Sequence, residues 1–199
     1  MALTKSSLSI ISIACSAIAT VFYLVGICGY AYDDSVVDSI PWGTGTVKSL
    51  GVEYDLYVGT STIVLDGNSI TSKQRYDNCD DDVDFCDECE DTGKAAFGLT
   101  IIAIVLSGVV LVISVLQLAG HDVAALKYPD IGASVMSAIL GIIAFAIFDE
   151  CIKKVEDAYD SVGSTSLSYA VGAYLVLVGF ICMVFASISK ILPFFIAIK

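Results

Sequence analysis

"AAFGLTIIAIVLSGVVLVISVLQLAG", residues 95–120, carries no charged side chain over 26 positions. A helix rises about 1.5 Å per residue, so ~20 such residues cross the ~30 Å hydrocarbon core of a bilayer. In that medium every backbone amide must be bonded internally, which makes a helix the element that such a run forms. Three more uncharged runs accompany it: Leu8–Tyr30, Ile131–Phe148 and Leu167–Ser189. They raise the chain of 199 residues to 56% hydrophobic with a mean hydropathy of +0.82, where a soluble domain holds about 45–50%. The pattern predicts four membrane-spanning helices. Lys5 and the "AIA" at Ala17–Ala19 imitate a secretory signal, but the apolar stretch runs well past a typical ~7–15-residue signal core and is expected to be a span.

Four spans place both termini on one side and the two odd loops on the other. The first loop, Ala31–Lys94, holds 15 acidic and 4 basic residues, and the second, Asp149–Ser166, holds 5 and 2. The termini and the turn at residues 121–130 carry Lys5, Lys127, Lys190 and Lys199 against Asp122 and Asp130. The positive-inside rule, which counts Lys and Arg near span ends, puts that second set in the cytosol. Cysteine usage agrees. Cys79, Cys86, Cys89 and Cys151 all fall in the loops assigned outside, and an oxidising compartment suggests two disulfides. Cys15, Cys28 and Cys182 lie in spans as small packing residues.

The first loop reads as a small sheet. In residues 51–58 Val52, Tyr54, Leu56 and Val58 alternate with Glu53, Asp55 and Tyr57, a period of two with one apolar face. The β-branched Thr60–Leu65 is followed by Asp66-Gly67, a hairpin signal, and then by Ile70–Tyr76. Thr44–Leu50 pairs ahead of them, giving three or four strands. Trp42 opens this region as an expected membrane-interface anchor, with contact to a protein partner as its second role.

With four spans, a long first loop whose sheet begins near Trp42, the late cysteines Cys79 and Cys86, and a short second loop, the layout resembles the claudin-like tetraspans. That group includes claudins, peripheral myelin proteins, calcium-channel gamma subunits and amastins. Claudins add a second Trp to the first and space their cysteines more widely than the six residues between Cys79 and Cys86. The resemblance implies an all-α membrane bundle of four transmembrane helices carrying a small extracellular antiparallel β-sheet.

"DNCDDDVDFCDECED", residues 77–91, concentrates nine acidic residues and three cysteines in fifteen positions. An EF-hand starting at Asp80 would place Asp82 and Asp84 correctly but finds Phe85 where Gly is required and Asp91 where Glu is required. A four-cysteine zinc site would need reduced thiolates outside the cell. A redox Cys86–Cys89 pair lacks a cation or helix start to lower a thiol pKa. The expected state is a disulfide-clamped acidic loop, extended by its own repulsion and held by covalent closure. Two antiparallel helix ends favour Cys79–Cys86 with Cys89–Cys151, and Cys79–Cys89 with Cys86–Cys151 ranks next. No cofactor is expected; loose Ca²⁺ binding by Asp80, Asp82, Asp84, Asp87, Glu88, Glu90 and Asp91 ranks behind a plain solvated acidic surface.

Within the four apolar runs there is no Asp, Glu, Lys, Arg or His, whereas pumps and proton relays place such residues at depth. Small residues recur at packing spacing instead: Ala103–Ser107, Ser134–Ala138 and Ser137–Gly141. His121 is a surface residue of the cytosolic turn. In the tail at residues 190–199, Pro193 either ends or kinks the last helix near Ser189, or the helix continues past it. The chain reads as a non-enzymatic tetraspan making protein contacts through its outer loops: a structural, adhesive or membrane-organising subunit. Its partners are the lipid bilayer and either copies of itself or a larger membrane complex, with no nucleic acid. An auxiliary subunit of a channel or transporter is the alternative, and an oligomeric channel the third reading.

Overall fold

A computed structural model describes residues 5–29, 40–47, 52–65, 71–76, 85–121, 124–160 and 165–197. Four helices dominate it: α1 Lys5–Cys28, α2 Cys86–Leu118, α3 Lys127–Asp160 and α4 Val171–Ala197. Each contains a stretch long and apolar enough to cross a membrane. Five strands accompany them: β1 Gly43–Val47, β2 Val52–Leu56, β3 Thr60–Leu65, β4 Thr71–Arg75 and β5 Thr165–Tyr169. They form one antiparallel sheet in the order β4-β3-β2-β1-β5.

The chain divides into two compact units, each drawing on all four helices. The first comprises Met1–Leu24, Thr100–Ile142 and Val176–Lys199. Its interior is lined by small residues: Ser16 and Ala19 of α1, Ala103 and Ser107 of α2, Ser134, Ser137 and Ala138 of α3, and Ala186 of α4 are all buried. The three small-residue pairs of the sequence are thus spent on packing between helices. Buried hydroxyls find partners across the bundle or on their own helix. Thr20 Oγ1 donates to Ser107 Oγ at 2.9 Å, Ser137 Oγ to the Ala103 carbonyl at 2.9 Å, and Ser187 Oγ to Ser134 Oγ at 3.1 Å. Such interhelical bonds contribute about 0.6 kcal/mol each in an apolar medium.

Tyr23 fills the space that glycines leave. Its ring is fully buried, its hydroxyl donates to the Ser137 carbonyl at 3.4 Å, and a Cβ added to Gly179 would come within 2.7 Å of its Cε1. A Cβ added to Gly141 would meet the hydroxyl itself.

The second unit, Val25–Leu99 and Ile143–Leu175, contains the sheet. The period-two reading of β2 holds: Val52, Tyr54 and Leu56 are buried while Glu53 is exposed. The apolar face lies against α3, with the Tyr54 and Tyr159 rings 4.7 Å apart and Phe85 6.0 Å from Tyr159. β3 coincides with the predicted Thr60–Leu65 and pairs antiparallel with β4; the expected Asp66-Gly67 hairpin lies outside the described residues.

Four boundaries differ from expectation. The first is α2, which begins at Cys86 rather than Ala95, so the end of the acidic stretch is helical instead of extended. Asp87 and Glu88 occupy its first turn, where the helix dipole favours negative charge and offsets their repulsion. The second is α3, which continues through Asp160 and makes the start of the second loop helix. A helix of 33 residues, the length of α2, is about 50 Å long and outruns a ~30 Å hydrocarbon layer.

The third is β5, a strand in place of the expected helical start at Leu167. It pairs with β1 through Gly45↔Leu167 and Thr44↔Ser168; Ser166 and Ser168 alternate with Leu167 and Tyr169, the strand period. The sheet therefore has five strands drawn from both loops, against the three or four read in the first loop alone. The fourth is α4, which runs past Ser189 to Ala197 with Pro193 inside it. Proline there has no N–H to give the Ser189 carbonyl, and only one further turn of helix follows it.

The other end of α2 closes on a Schellman motif. Gly120 has a φ of 88°, His121 N donates to the Leu116 carbonyl at 3.0 Å and Gly120 N to that of Gln117 at 3.2 Å. A left-handed residue at this position favours glycine.

Candidate functional site

Two constructions stand out, one in each unit. In the sheet-bearing unit, a disulfide joins Cys89 in the first turns of α2 to Cys151 of α3, with Cα atoms 4.6 Å apart. Both cysteines are fully buried. This is the pairing expected of two antiparallel helix ends. Cys86 is disulfide-bonded as well, and Cys79 lies outside the described residues. The helix start that the redox reading of Cys86–Cys89 lacked is present, but both sulfurs are already in disulfides.

Around this bridge the sheet is keyed to the helices by Trp42. Its indole Nε1 donates to the Gly26 carbonyl at 2.8 Å, and its ring meets Phe148 edge-on at 5.1 Å. A Cβ added to Gly172 would come 2.8 Å from Nε1, so the absence of a side chain there makes the slot. Trp42 is 0% exposed. The ring is spent inside its own unit rather than against a protein partner, because its apolar body and single donor are both satisfied there.

The carboxylates singled out for loose Ca²⁺ binding are dispersed where they are described. Asp87 and Asp91 are exposed, Glu88 is half-buried, and Glu90 pairs with Lys94 one turn on. Asp80, Asp82 and Asp84 lie outside the described residues. Among the described residues no three His, Cys, Asp or Glu side chains gather as a metal-holding set.

On the same unit, Tyr169 of β5 donates to Asp149 Oδ1 at 2.5 Å and stacks on Phe145 with centroids 4.5 Å apart. Burial, then the bond to Asp149, pushes the Tyr169 phenol above its usual range. Burial does the same for Tyr76, whose hydroxyl donates to the Tyr57 carbonyl at 3.2 Å.

In the other unit lies a polar centre that the sequence reading assigned to the surface. Asp130, near the start of α3, and Lys190 of α4 form an ion pair whose side chains are only 3% and 7% exposed. Lys190 Nζ also donates to Ser114 Oγ at 2.9 Å, Ser114 shares a 3.3 Å hydroxyl contact with Ser12, and Gln117 Nε2 reaches Asp130 Oδ2 at 3.5 Å. A cavity of about 120 Å³ opens beside this cluster, lined by residues of all four helices. The signal was periodic. Lys190 continues the buried face Met183, Ala186 and Ser187, and Asp130 precedes the buried Ser134 and Ser137 at helical spacing. Ending the fourth helix at Ser189 hid it.

Compared with known proteins, the chain matches no family model and no curated relative.

Proposed function

We propose that the chain is a multi-pass membrane protein that makes protein–protein contacts through a disulfide-fixed sheet outside the membrane, as a structural, adhesive or membrane-organising subunit. Both termini are cytosolic in this reading, and the host is the plasma membrane or another surface-type membrane. The observation that carries it is how the sheet is held. Strands from both loops join in one sheet, the Cys89–Cys151 bridge fixes the helix ends beneath it, and Trp42 locks its first strand to α1. A sheet so anchored offers preorganised edges, β4 on one side and β5 on the other, and exposed edges are backbone templates for partners. Preorganisation lowers the entropy cost of association.

The helices support the membrane half of the reading. Large apolar side chains such as Val105, Val112 and Phe185 are more than half exposed, which suits lipid contact. Kinship with the claudin-like tetraspans belongs to the same proposal, supported by four apolar helices and a sheet that starts beside a tryptophan. The test is crosslinking and copurification from native membranes in mild detergent. A homo-oligomer or a heterocomplex is the expected product, and a stoichiometric larger partner makes the chain an auxiliary subunit. A dispersed monomer under both treatments overturns the proposal.

A further inference from the structure

We propose that the cavity beside the Asp130–Lys190 pair binds a phosphate group, that of an anionic phospholipid headgroup. The lining comes from the first turns of α1, the last turns of α2, the start of α3 and the late turns of α4. In the topology proposed above, on which the lipid source rests, these helix ends lie at the cytosolic leaflet, whose surface is anionic.

Charge identifies the ligand class. Lys190 and Asp130 neutralise each other, and among the described lining residues Lys127, exposed at the rim of the same cavity, is the one further charged side chain. A net single positive charge matches a phosphodiester, which carries one negative charge. The donors match as well. Gln117 lines the cavity and gives one of its two amide N–H donors to Asp130, and among the described residues Lys190 gives two of its three N–H donors, to Asp130 and Ser114. Lys190 is thereby a built part of the wall: its bond to Asp130 holds a donor in place at a depth where a lone lysine would be costly. Leu8 and Pro193 line the same space, apolar surface of the kind the root of an acyl chain requires. A cavity of about 120 Å³ exceeds the needs of one water.

The test uses the full chain in detergent, offered equimolar phosphatidylglycerol and phosphatidylcholine and read by native mass spectrometry. Retention of phosphatidylglycerol over phosphatidylcholine by about fivefold is expected from one surface lysine. Lys127→Gln, at an exposed position, is expected to abolish the preference while leaving thermal unfolding unchanged. A second arm titrates inorganic phosphate against chloride at matched ionic strength. A thermal shift with phosphate that Lys127→Gln removes supports the same phosphate chemistry and moves its source from lipid to solution. Equal retention of the two lipids with no phosphate shift overturns the proposal, as does a preference that survives Lys127→Gln. Flotation with liposomes separates this outcome from failure of the membrane reading, since a chain that floats but shows no preference loses only the phosphate site.

Discussion

Trp42 Nε1 donates to the Gly26 carbonyl across 2.8 Å, while the backbone of the same residue bonds Leu56 through its N–H and Ala170 through its carbonyl. One residue thus links α1, the end of β2 and the entry to α4. Trp42→Phe removes the donor and leaves a void beside Gly172. A lost hydrogen bond of about 1 kcal/mol and partial cavity formation together predict a destabilisation of about 2 kcal/mol. Thermal unfolding of the purified protein checks it; a change within error would mean the slot relaxes around the smaller ring.

Tyr23 and its two glycines predict an asymmetric pair of effects. Gly179→Ala drives a methyl group toward Cε1 and Cδ1 of the ring, whereas Gly141→Ala meets the hydroxyl first. Each overpacking substitution is expected to cost about 1–3 kcal/mol. Tyr23→Phe removes only the hydroxyl, so it should rescue part of the Gly141→Ala loss and little of the Gly179→Ala loss. Gly108→Ala is the control: nothing lies within 4 Å of the added atom, and helix propensity predicts a gain of up to about 1 kcal/mol. The double-mutant cycle reads all three.

The Cys89–Cys151 bridge ties the start of α2 to α3. Cys89 and Cys151 are 62 residues apart, and closing a loop of that length stabilises by about 4 kcal/mol in the chain-entropy treatment. The double change Cys89→Ser with Cys151→Ser should therefore lower the unfolding midpoint markedly, and reductant should then have a smaller effect than on the parent chain. Peptide mapping without reduction should recover the Cys89 and Cys151 peptides as one crosslinked species.

Much of this was legible beforehand, and the misses share a cause. An uncharged run such as Ala95–Gly120 encodes its helix in composition alone, and the alternation from Val52 to Val58 encodes its strand, because each pattern reports one environment. Elements that belong to two environments were harder. The Cys86–Lys94 segment is charged yet helical because α2 outlasts the apolar layer. β5 sits at the head of an apolar run because β1, more than a hundred residues earlier in the chain, supplies its hydrogen bonds. Lys190 and Asp130 looked like terminal surface charges because their partnership exists only once α3 and α4 are packed.

Alkaline pH supplies a further prediction. Burial raises the phenol pKa of Tyr54 and Tyr76, and burial followed by the Asp149 bond raises that of Tyr169. A raised folded-state value means the neutral form is favoured by folding. The associated stability is complete below the unfolded tyrosine value of about 10 and is lost as pH rises from there through the higher folded values. Stability should be insensitive to these groups between pH 6 and 9 and fall above about 10. Tyr76→Phe should flatten that alkaline limb while costing about 1 kcal/mol at neutral pH through the lost bond to Tyr57. Denaturation midpoints collected across pH 8–12 provide the measurement.

The Asp130–Lys190 pair yields the sharpest contrast. Both side chains are nearly inaccessible, and among the described residues every buried side-chain polar atom has a partner, so removing one charge strands the other. Lys190→Met leaves the Asp130 carboxylate, among the described residues, with Gln117, and breaking a buried pair in this way costs about 3–5 kcal/mol. Asp130→Asn strands the ammonium with Ser114 and should cost a similar amount. The double change Asp130→Asn with Lys190→Met removes both charges, keeps an amide beside Gln117, and should recover most of the loss, since a buried ion pair is often no more stable than its neutral replacement. Unfolding midpoints of the four proteins in one detergent complete the cycle. Additive losses would show that the two residues are independent despite their contact; near-complete recovery would show that each charge is needed to offset the other and that the pair adds little net stability.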